Sequence, residues 1–312
     1  MKKYSLLILI ITTAFVGKAQ NRITIANFPQ FKQYLNPALT GNDGSSVQAF
    51  YRNQITTFDK APQTFFLSGD VRLVDLGASA DSKVQHSIGL AALKDDYGNT
   101  KNIGVNLSYS ASAAITSTLN LKAGLGISYD NLKTDISDLL PGDPNDPAFD
   151  ALKRNNKLTK YGLNLGVGLS SENFYVGYSA SDLVKSESGN TSYYEDYYAL
   201  RHSIHGGYRY AFSDKFGLVA NANYLYDNVR KGIAEGHLKT VFLNTFWIGG
   251  GYRQDIGTLL NAGVRIKKLA LGYTRELHSE KINNKRMGAN EVYISYRFTD
   301  AFAKGQKALS IW

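Results

Sequence analysis

The chain of 312 residues contains no cysteine. That excludes a disulfide framework and any thiolate metal site. Past the first 16 residues there is no apolar run approaching the roughly twenty residues that a membrane-spanning helix needs. H-E-x-x-H is absent, and so is the G-x-S-x-G nucleophile elbow. Gly124 and Gly126, and the Gly249, Gly250, Gly251 triplet, lie inside strand-like patterns and not between a strand and a helix, so neither is a dinucleotide loop. These glycines suit close packing or curvature in a sheet.

The dominant positive feature is a two-residue alternation. Ile103, Val105, Leu107, Tyr109 and Ala111 alternate with Asn102, Gly104, Asn106, Ser108 and Ser110. Leu119, Leu121, Ala123, Leu125, Ile127 and Tyr129 alternate with Asn120, Lys122, Gly124, Gly126 and Ser128. A strand sends successive side chains to opposite faces, so each segment has one apolar face and one small or polar face. Segments of about ten residues cross a bilayer when tilted. Only one face of such a strand meets lipid, which accounts for a mean hydropathy of −0.25. The 21 tyrosines suit aromatic girdles, and the 29 glycines suit tight turns and close strand packing.

The N-terminus has the pattern of a secretory signal: Lys2 and Lys3, an apolar stretch over 4–16, then Gly17, Lys18 and Ala19, with cleavage expected between Ala19 and Gln20. An uncleaved anchor is disfavoured because the apolar run is short. The formal charge is +9, but Lys2, Lys3 and Lys18 belong to the signal. The remaining basic groups are scattered among alternating strands of an exported chain, which argues against nucleic acid and for lumenal or headgroup positions.

We expect an all-β transmembrane antiparallel barrel of about 14 strands, at 46–53, 63–72, 87–94, 102–112, 119–129, 160–170, 174–179, 203–212, 216–226, 238–244, 245–254, 259–266, 269–275 and 291–298. Short connections near 116–118, 171–173, 213–215 and 267–268 alternate with long ones at 130–159, 180–202, 227–237 and 276–290. In outer-membrane barrels the short turns are periplasmic and the long loops extracellular. The connections at 73–86 and 255–258 break this parity. The expected organisation is a signal peptide (1–19), a periplasmic N-terminal lead-in or plug (20–44), the barrel (45–298) and a periplasmic tail (299–312). In that tail Leu309, Ile311 and Trp312 read as a small docking patch, with a disordered tail as the equal alternative. A soluble β-sandwich is the competing architecture, but its strands are shorter and its connections lack this parity.

Candidate chemistry is thin. Asp143, Asn145 and Asp146 offer oxygens to Ca²⁺, but Pro147 and the missing glycine do not fit an EF-hand loop, and a rigid solvated loop is the simpler reading. His202 and His205 point to opposite faces of one strand, an arrangement unsuited to a shared metal ion. Asp70, His205 and Ser295 could all face a lumen, but nothing in the sequence brings them together. Tyr193, Tyr194, Tyr197 and Tyr198, interleaved with Glu195 and Asp196, fit a recognition surface or an outer girdle. The basic stretch 281–286 is placed outside the cell, open to trypsin.

One set of motifs is more specific. Asn36, Pro37, Ala38 and Gly41 form an Asn-Pro-Ala-x-x-Gly element. Tyr51, Arg52 and Gln54, then Pro62, follow as a first hairpin. Gly250 to Arg253 and Leu271 to Thr274 carry repeated strand signatures, and Glu291, Tyr296, Arg297 and Phe298 close the pattern. In order and spacing this resembles the PorP/SprF family, with Ile55 where the family usually has Trp and Asn290 where it has His. The resemblance implies a non-catalytic outer-membrane component of the type IX secretion system with no cofactor. It would help secrete or attach large cargo proteins such as adhesins, some of them gliding-related. The partners it implies are the cargo's C-terminal domain, other components of the same system and the lipid bilayer. The alternative function is a passive porin or hydrophobic-solute transporter.

Overall fold

The structure is a computed structural model and describes residues 25–55, 60–79, 82–137, 139, 146–154, 156–188, 199–227, 232–282, 285–299, 309 and 311. The expected signal peptide, the loop carrying Asp143 and Asn145, and the 193–198 tyrosine cluster lie outside the described residues.

The strands are β1 (Ser46–Ile55), β2 (Gln63–Arg72), β3 (Val84–Tyr97), β4 (Thr100–Ala114), β5 (Asn120–Thr134), β6 (Lys157–Ser170), β7 (Phe174–Ser181), β8 (Lys185–Ser188), β9 (Arg201–Ala211), β10 (Phe216–Asp227), β11 (Ile233–Phe242), β12 (Phe246–Arg253), β13 (Gly257–Ile266), β14 (Leu269–Ile282) and β15 (Lys285–Arg297). Apart from the four-residue β8 they form one closed antiparallel barrel of 14 strands. β1 pairs with β15 over the whole of Ser46 to Ile55, which closes the ring of strands. β8 continues β7 along the edge of β6 after a break at 182–184, where Asp182 takes φ 66°.

All fourteen expected strands are present. The alternation fails as a guide mainly at the loop end. The stretch 227–237, expected as a long loop, shrinks to 228–232, because β11 begins at Ile233. The stretch 276–290 is nearly all hairpin, since β14 and β15 extend to Ile282 and from Lys285. The charged residues that read as loop there, Glu235 and Glu276, instead face the lumen and are paired across it. The long connection at 73–86 contains a 3-10 helix, Leu73–Leu76. The 180–202 connection contains β8.

Burial alternates as the sequence does. On β4, Ile103, Leu107 and Tyr109 are exposed, while Asn102, Ser108 and Ser110 are buried. The outward surface is an apolar band, including Leu67, Leu107, Ile127, Leu165 and Ile294. Aromatics flank it at both ends. Phe65, Tyr161, Tyr226 and Tyr252 lie toward the long loops, and Tyr210, Phe212, Phe216, Phe246 and Phe298 lie toward the short turns. An apolar surface this continuous is stable only against hydrocarbon. No helix among the described residues is long and apolar enough to cross a membrane, and the strands cross it instead.

Candidate functional site

The inward face is polar, and residues 25–44 fill it. Three short helical turns, Phe28–Gln30, α1 (Lys32–Leu35) and Pro37–Leu39, lie inside the strands, with Ala26, Phe31, Asn36 and Ala38 fully buried. Residues 25–44 lie inside the strands and run from the loop end to the turn end. Ser45 lies at the turn end, where its carbonyl accepts from Phe298 N at 2.8 Å. Ile25 lies near the loop end, where its carbonyl accepts from Arg253, the last residue of β12.

The Asn-Pro-Ala turn is the deepest contact. Asn36 Oδ1 accepts from Ala38 N at 2.9 Å, capping the turn, and Pro37 supplies the fixed φ that suits its first position. Asn36 Nδ2 donates to the carbonyls of Val167 (3.1 Å) and Tyr178 (3.3 Å) and lies 3.2 Å from His205 Nε2. Ser110 Oγ donates to Ala38 O, and Ser179 Oγ donates to Leu35 O. The turn sits directly on strand glycines. A Cβ on Gly124 would lie 2.2 Å from Ala38 N, and one on Gly166 would lie 1.9 Å from Asn36 Oδ1. These glycines therefore form the floor on which the plug's backbone rests. Gly41 then reverses the chain at φ +67° and donates its N–H to Asp70 Oδ2 at 2.8 Å.

Above the turn an ion network crosses five strands. Arg52 (β1) contacts Glu276 (β14) at 2.8 Å and Glu291 (β15) at 3.9 Å. Arg253 (β12) contacts Glu276 at 3.1 Å and Glu235 (β11) at 2.9 Å. His237 and His278 lie 2.6 and 2.7 Å from Glu235 and Glu276. Glu291 completes the network by accepting Ala26 N and Asn27 N at 3.0 and 3.1 Å. Lys239 Nζ donates to Asn27 Oδ1 at 3.1 Å. Burying charges costs several kcal/mol per ion unless each finds partners. Here the plug's backbone supplies part of that pairing, so wall and plug require one another.

Of the motif residues, the structure thus places Asn36, Pro37, Ala38 and Gly41 in the inner segment and Arg52 and Glu291 in the wall network that meets Ala26 and Asn27. Arg297 faces the lumen at the turn end. Tyr51 faces out and packs on Phe65, with ring centroids 4.7 Å apart. Gln54 N donates to Pro62 O, closing the first hairpin. Tyr296 and Phe298 face outward, edge to face at 5.2 Å. Asp70, His205 and Ser295 are all buried on the lumen side, but they do not form a triad. Asp70 holds Gly41 and Ser46, while His205, on the distant β9, contacts Asn36 and Ser203. His202 faces the other way, 2.7 Å from Tyr178 Oη. No group of three or more potential metal ligands occurs among the described residues. Sequence reasoning missed Glu235, His237, Lys239 and Glu276. The available signal was their place in the polar phase of strands whose other phase is apolar.

The family pattern described as "Type IX secretion system membrane protein PorP/SprF" matches residues 17–296. The chain belongs to the PorP/SprF family. It is therefore an outer-membrane barrel of a type IX secretion system. No curated protein matches the chain. Among solved structures, it is similar to the CymD monoaromatic hydrocarbon channel (12% identity, 91% of this chain and 95% of that one, TM-score 0.50). It is also similar to the Pseudomonas putida toluene transporter TodX (10%, 90% and 95%, 0.49) and to Acinetobacter baumannii Omp33 (12%, 82% and 98%, 0.45). At 12% identity the similarity to CymD bears on the fold alone. In this PorP/SprF chain the Asn-Pro-Ala turn contacts the inner wall through Asn36, and Glu291 accepts from Ala26 N and Asn27 N.

Proposed function

We propose that this PorP/SprF protein is a plugged, non-catalytic barrel that helps secrete or attach large cargo proteins, such as adhesins, by binding them. The cargo's C-terminal domain and other type IX components are its partners. The observation behind this reading is the plug: residues 25–44 fill the lumen and are tied to both halves of the wall by buried hydrogen bonds and charges. A lumen so filled leaves the ends and the lipid-facing wall as the working surfaces. A passive transporter would need this network to open.

The test is affinity purification of the tagged protein from native membranes, paired with planar-bilayer recording of the pure protein. Expected are co-purification of a large secreted protein, dependent on its C-terminal domain, and a closed barrel at rest. Steady conductance with no bound cargo, together with intact surface adhesins in a deletion strain, would sink the proposal.

A further inference from the structure

The outward face carries a row of charge that strand alternation alone does not require. At the loop end Lys101 (β4), Lys133 (β5) and Lys157 (β6) are direct cross-strand partners. All three are exposed, in the outward phase of strands whose adjacent residues Asn102, Leu132 and Leu158 are buried. Side chains so paired start about 5 Å apart, and like charges there repel. Lys94 (β3) stands one outward row nearer the membrane, opposite Ile103. Two carboxylates lie beside the row. Asp96, the cross-strand partner of Lys101, is held by Lys94 at 2.8 Å. Asp135, which feels the charge of Lys133 and Lys101, accepts from Ser137 N and Oγ at 3.0 and 2.7 Å. Four lysines against two carboxylates leave this face positive. Among the described residues, Lys101, Lys133 and Lys157 form no salt bridge.

The strands set the height of this row. Tyr129 and Tyr161 pack together two outward rows below it, with ring centroids 5.4 Å apart, as part of the loop-end aromatic girdle. Four residues of strand span about 13 Å, or about 10 Å of height at a tilt near 40°. Lysine stems reach back over part of that distance, so the ammonium groups stand at the level of lipid headgroups. Beside the row, the lipid-facing wall contains a groove of about 890 Å³, within the size range of small-molecule sites. Ala49 and Ala92 form its floor, in one cross-strand row on either side of Leu67. Tyr51, Phe65, Lys94 and Ile103 line its rim in the next row toward the loops. Apart from Lys94, the lining is aliphatic and aromatic.

We propose that this wall is a binding site for a phosphate-bearing lipid of the outer leaflet. The headgroup phosphate sits on Lys101, Lys133 and Lys157, and an acyl chain lies in the groove over Ala49 and Ala92. The leaflet follows from the long loops, which mark the extracellular end. The charge is complementary: a phosphate between neighbouring ammonium groups replaces their repulsion with charge-assisted hydrogen bonds. Lysine is a flexible point charge, so several side chains can share one phosphate without a fixed geometry. The occupant is a lipid and not a soluble phosphate, because the basic row adjoins an apolar groove that faces the hydrocarbon of the bilayer. The site lies on β1 to β6, β14 and β15, outside the lumen, and does not depend on the cargo reading.

The experiment titrates the full chain in detergent with diphosphoryl lipid A and counts bound lipid by native mass spectrometry, with folding verified by heat-modifiable mobility. Saturable binding of one lipid is expected. Lys101→Gln, Lys133→Gln and Lys157→Gln together weaken it at least tenfold, whereas the same three positions changed to Arg retain it. Ala92→Phe, which fills the groove, weakens it at least threefold. Lys215→Gln, at the turn end, leaves it unchanged. Lipid A stripped of its phosphates binds at least tenfold more weakly, and inorganic phosphate at equal concentration does not displace the lipid. Absence of saturable binding, equal affinity of the triple glutamine variant, or an equal loss in Lys215→Gln overturns the site. Equal affinity of the dephosphorylated lipid overturns the role of the lysines, and unchanged affinity in Ala92→Phe overturns that of the groove. Displacement by inorganic phosphate overturns the lipid as occupant. If the triple glutamine variant fails to fold, Lys133→Gln alone takes its place, with at least a threefold loss expected and no loss overturning the row. If Ala92→Phe fails to fold, Ala49→Leu takes its place with the same expectation.

Discussion

Gly124→Ala is the sharpest probe of the plugged lumen, because its neighbour Gly126 provides a matched control. The added Cβ at 124 would lie 2.2 Å from Ala38 N, 2.3 Å from Pro37 C and 2.5 Å from Ala38 Cα. These are backbone atoms and cannot rotate aside. The Asn-Pro-Ala turn must lift by about 1 Å, which carries hydrogen bonds near 3 Å out of range. The bonds at risk are Ser110 to Ala38 O at 2.8 Å and Asn36 to Val167 O at 3.1 Å. Each buried bond contributes about 0.5–1.5 kcal/mol net, and overpacking costs about 1–3 kcal/mol. A total of about 2–6 kcal/mol raises the population of the open plug by about 30- to 20,000-fold. At Gly126 the nearest atom to an added Cβ is Asn164 Cβ at 3.4 Å, so Gly126→Ala leaves the plug seated. Native-state hydrogen exchange reads the difference at the amides of Ala38 and Gly41, which donate to Asn36 Oδ1 and Asp70 Oδ2. If the folded Gly124→Ala barrel protects these amides as well as Gly126→Ala does, the glycine floor does not hold the plug.

Other perturbations separate wall, network and turn end. Arg253→Met removes a guanidinium that serves Glu235, Glu276 and Ile25 O. It should destabilise the barrel by about 3–5 kcal/mol, as breaking a buried pair does, and an unchanged midpoint in heat-modifiable electrophoresis would contradict this. Leu107→Arg places a charge in the lipid-facing band and should cost about 2–4 kcal/mol near the midplane. Normal insertion into liposomes would contradict the membrane placement of β4. Asp75, in the turn-end helix, accepts from Arg72 Nη2 at 2.7 Å, Ser45 Oγ at 2.5 Å and Thr299 Oγ1 at 2.6 Å. Partial burial pushes its carboxyl up, but these donors outweigh that and hold it below the usual value of 3.8. Its contribution is therefore present above that value and lost as pH falls through the lower folded pKa. Asp75→Asn should flatten the acid limb of the stability profile below about pH 4, and an identical profile would show that these hydrogen bonds do not stabilise the turn end.

How far the sequence could be read depended on the range of the interaction concerned. Lipid on one side and a polar lumen on the other impose an alternation that each strand records by itself. Residues 102–112 and 119–129 could therefore be assigned a lipid-facing and a lumenal phase without any partner in view. The motif residues placed the chain beside a family but gave no reason for their presence. Tyr51 and Arg52 are adjacent in sequence, yet one meets the outer wall and the other a buried carboxylate. At the loop end, polar residues were mistaken for loop because their partners lie on other strands. Glu235, for example, is satisfied by Arg253, 18 residues away.

The sequence by itself determined the strands, their two faces and the order in which they pair, since these follow from local periodicity and short turns. Only the tertiary structure decided what occupies the interior. Closing β1 onto β15 brings Arg52, Glu276 and Glu291 around the backbone of Ala26 and Asn27. It also lays strand glycines beneath Asn36 and Ala38. The hydrogen bonds from Asn36 to Val167 and from Ala26 to Glu291 span more than a hundred residues of chain, and all these contacts depend on barrel register, which no local pattern encodes.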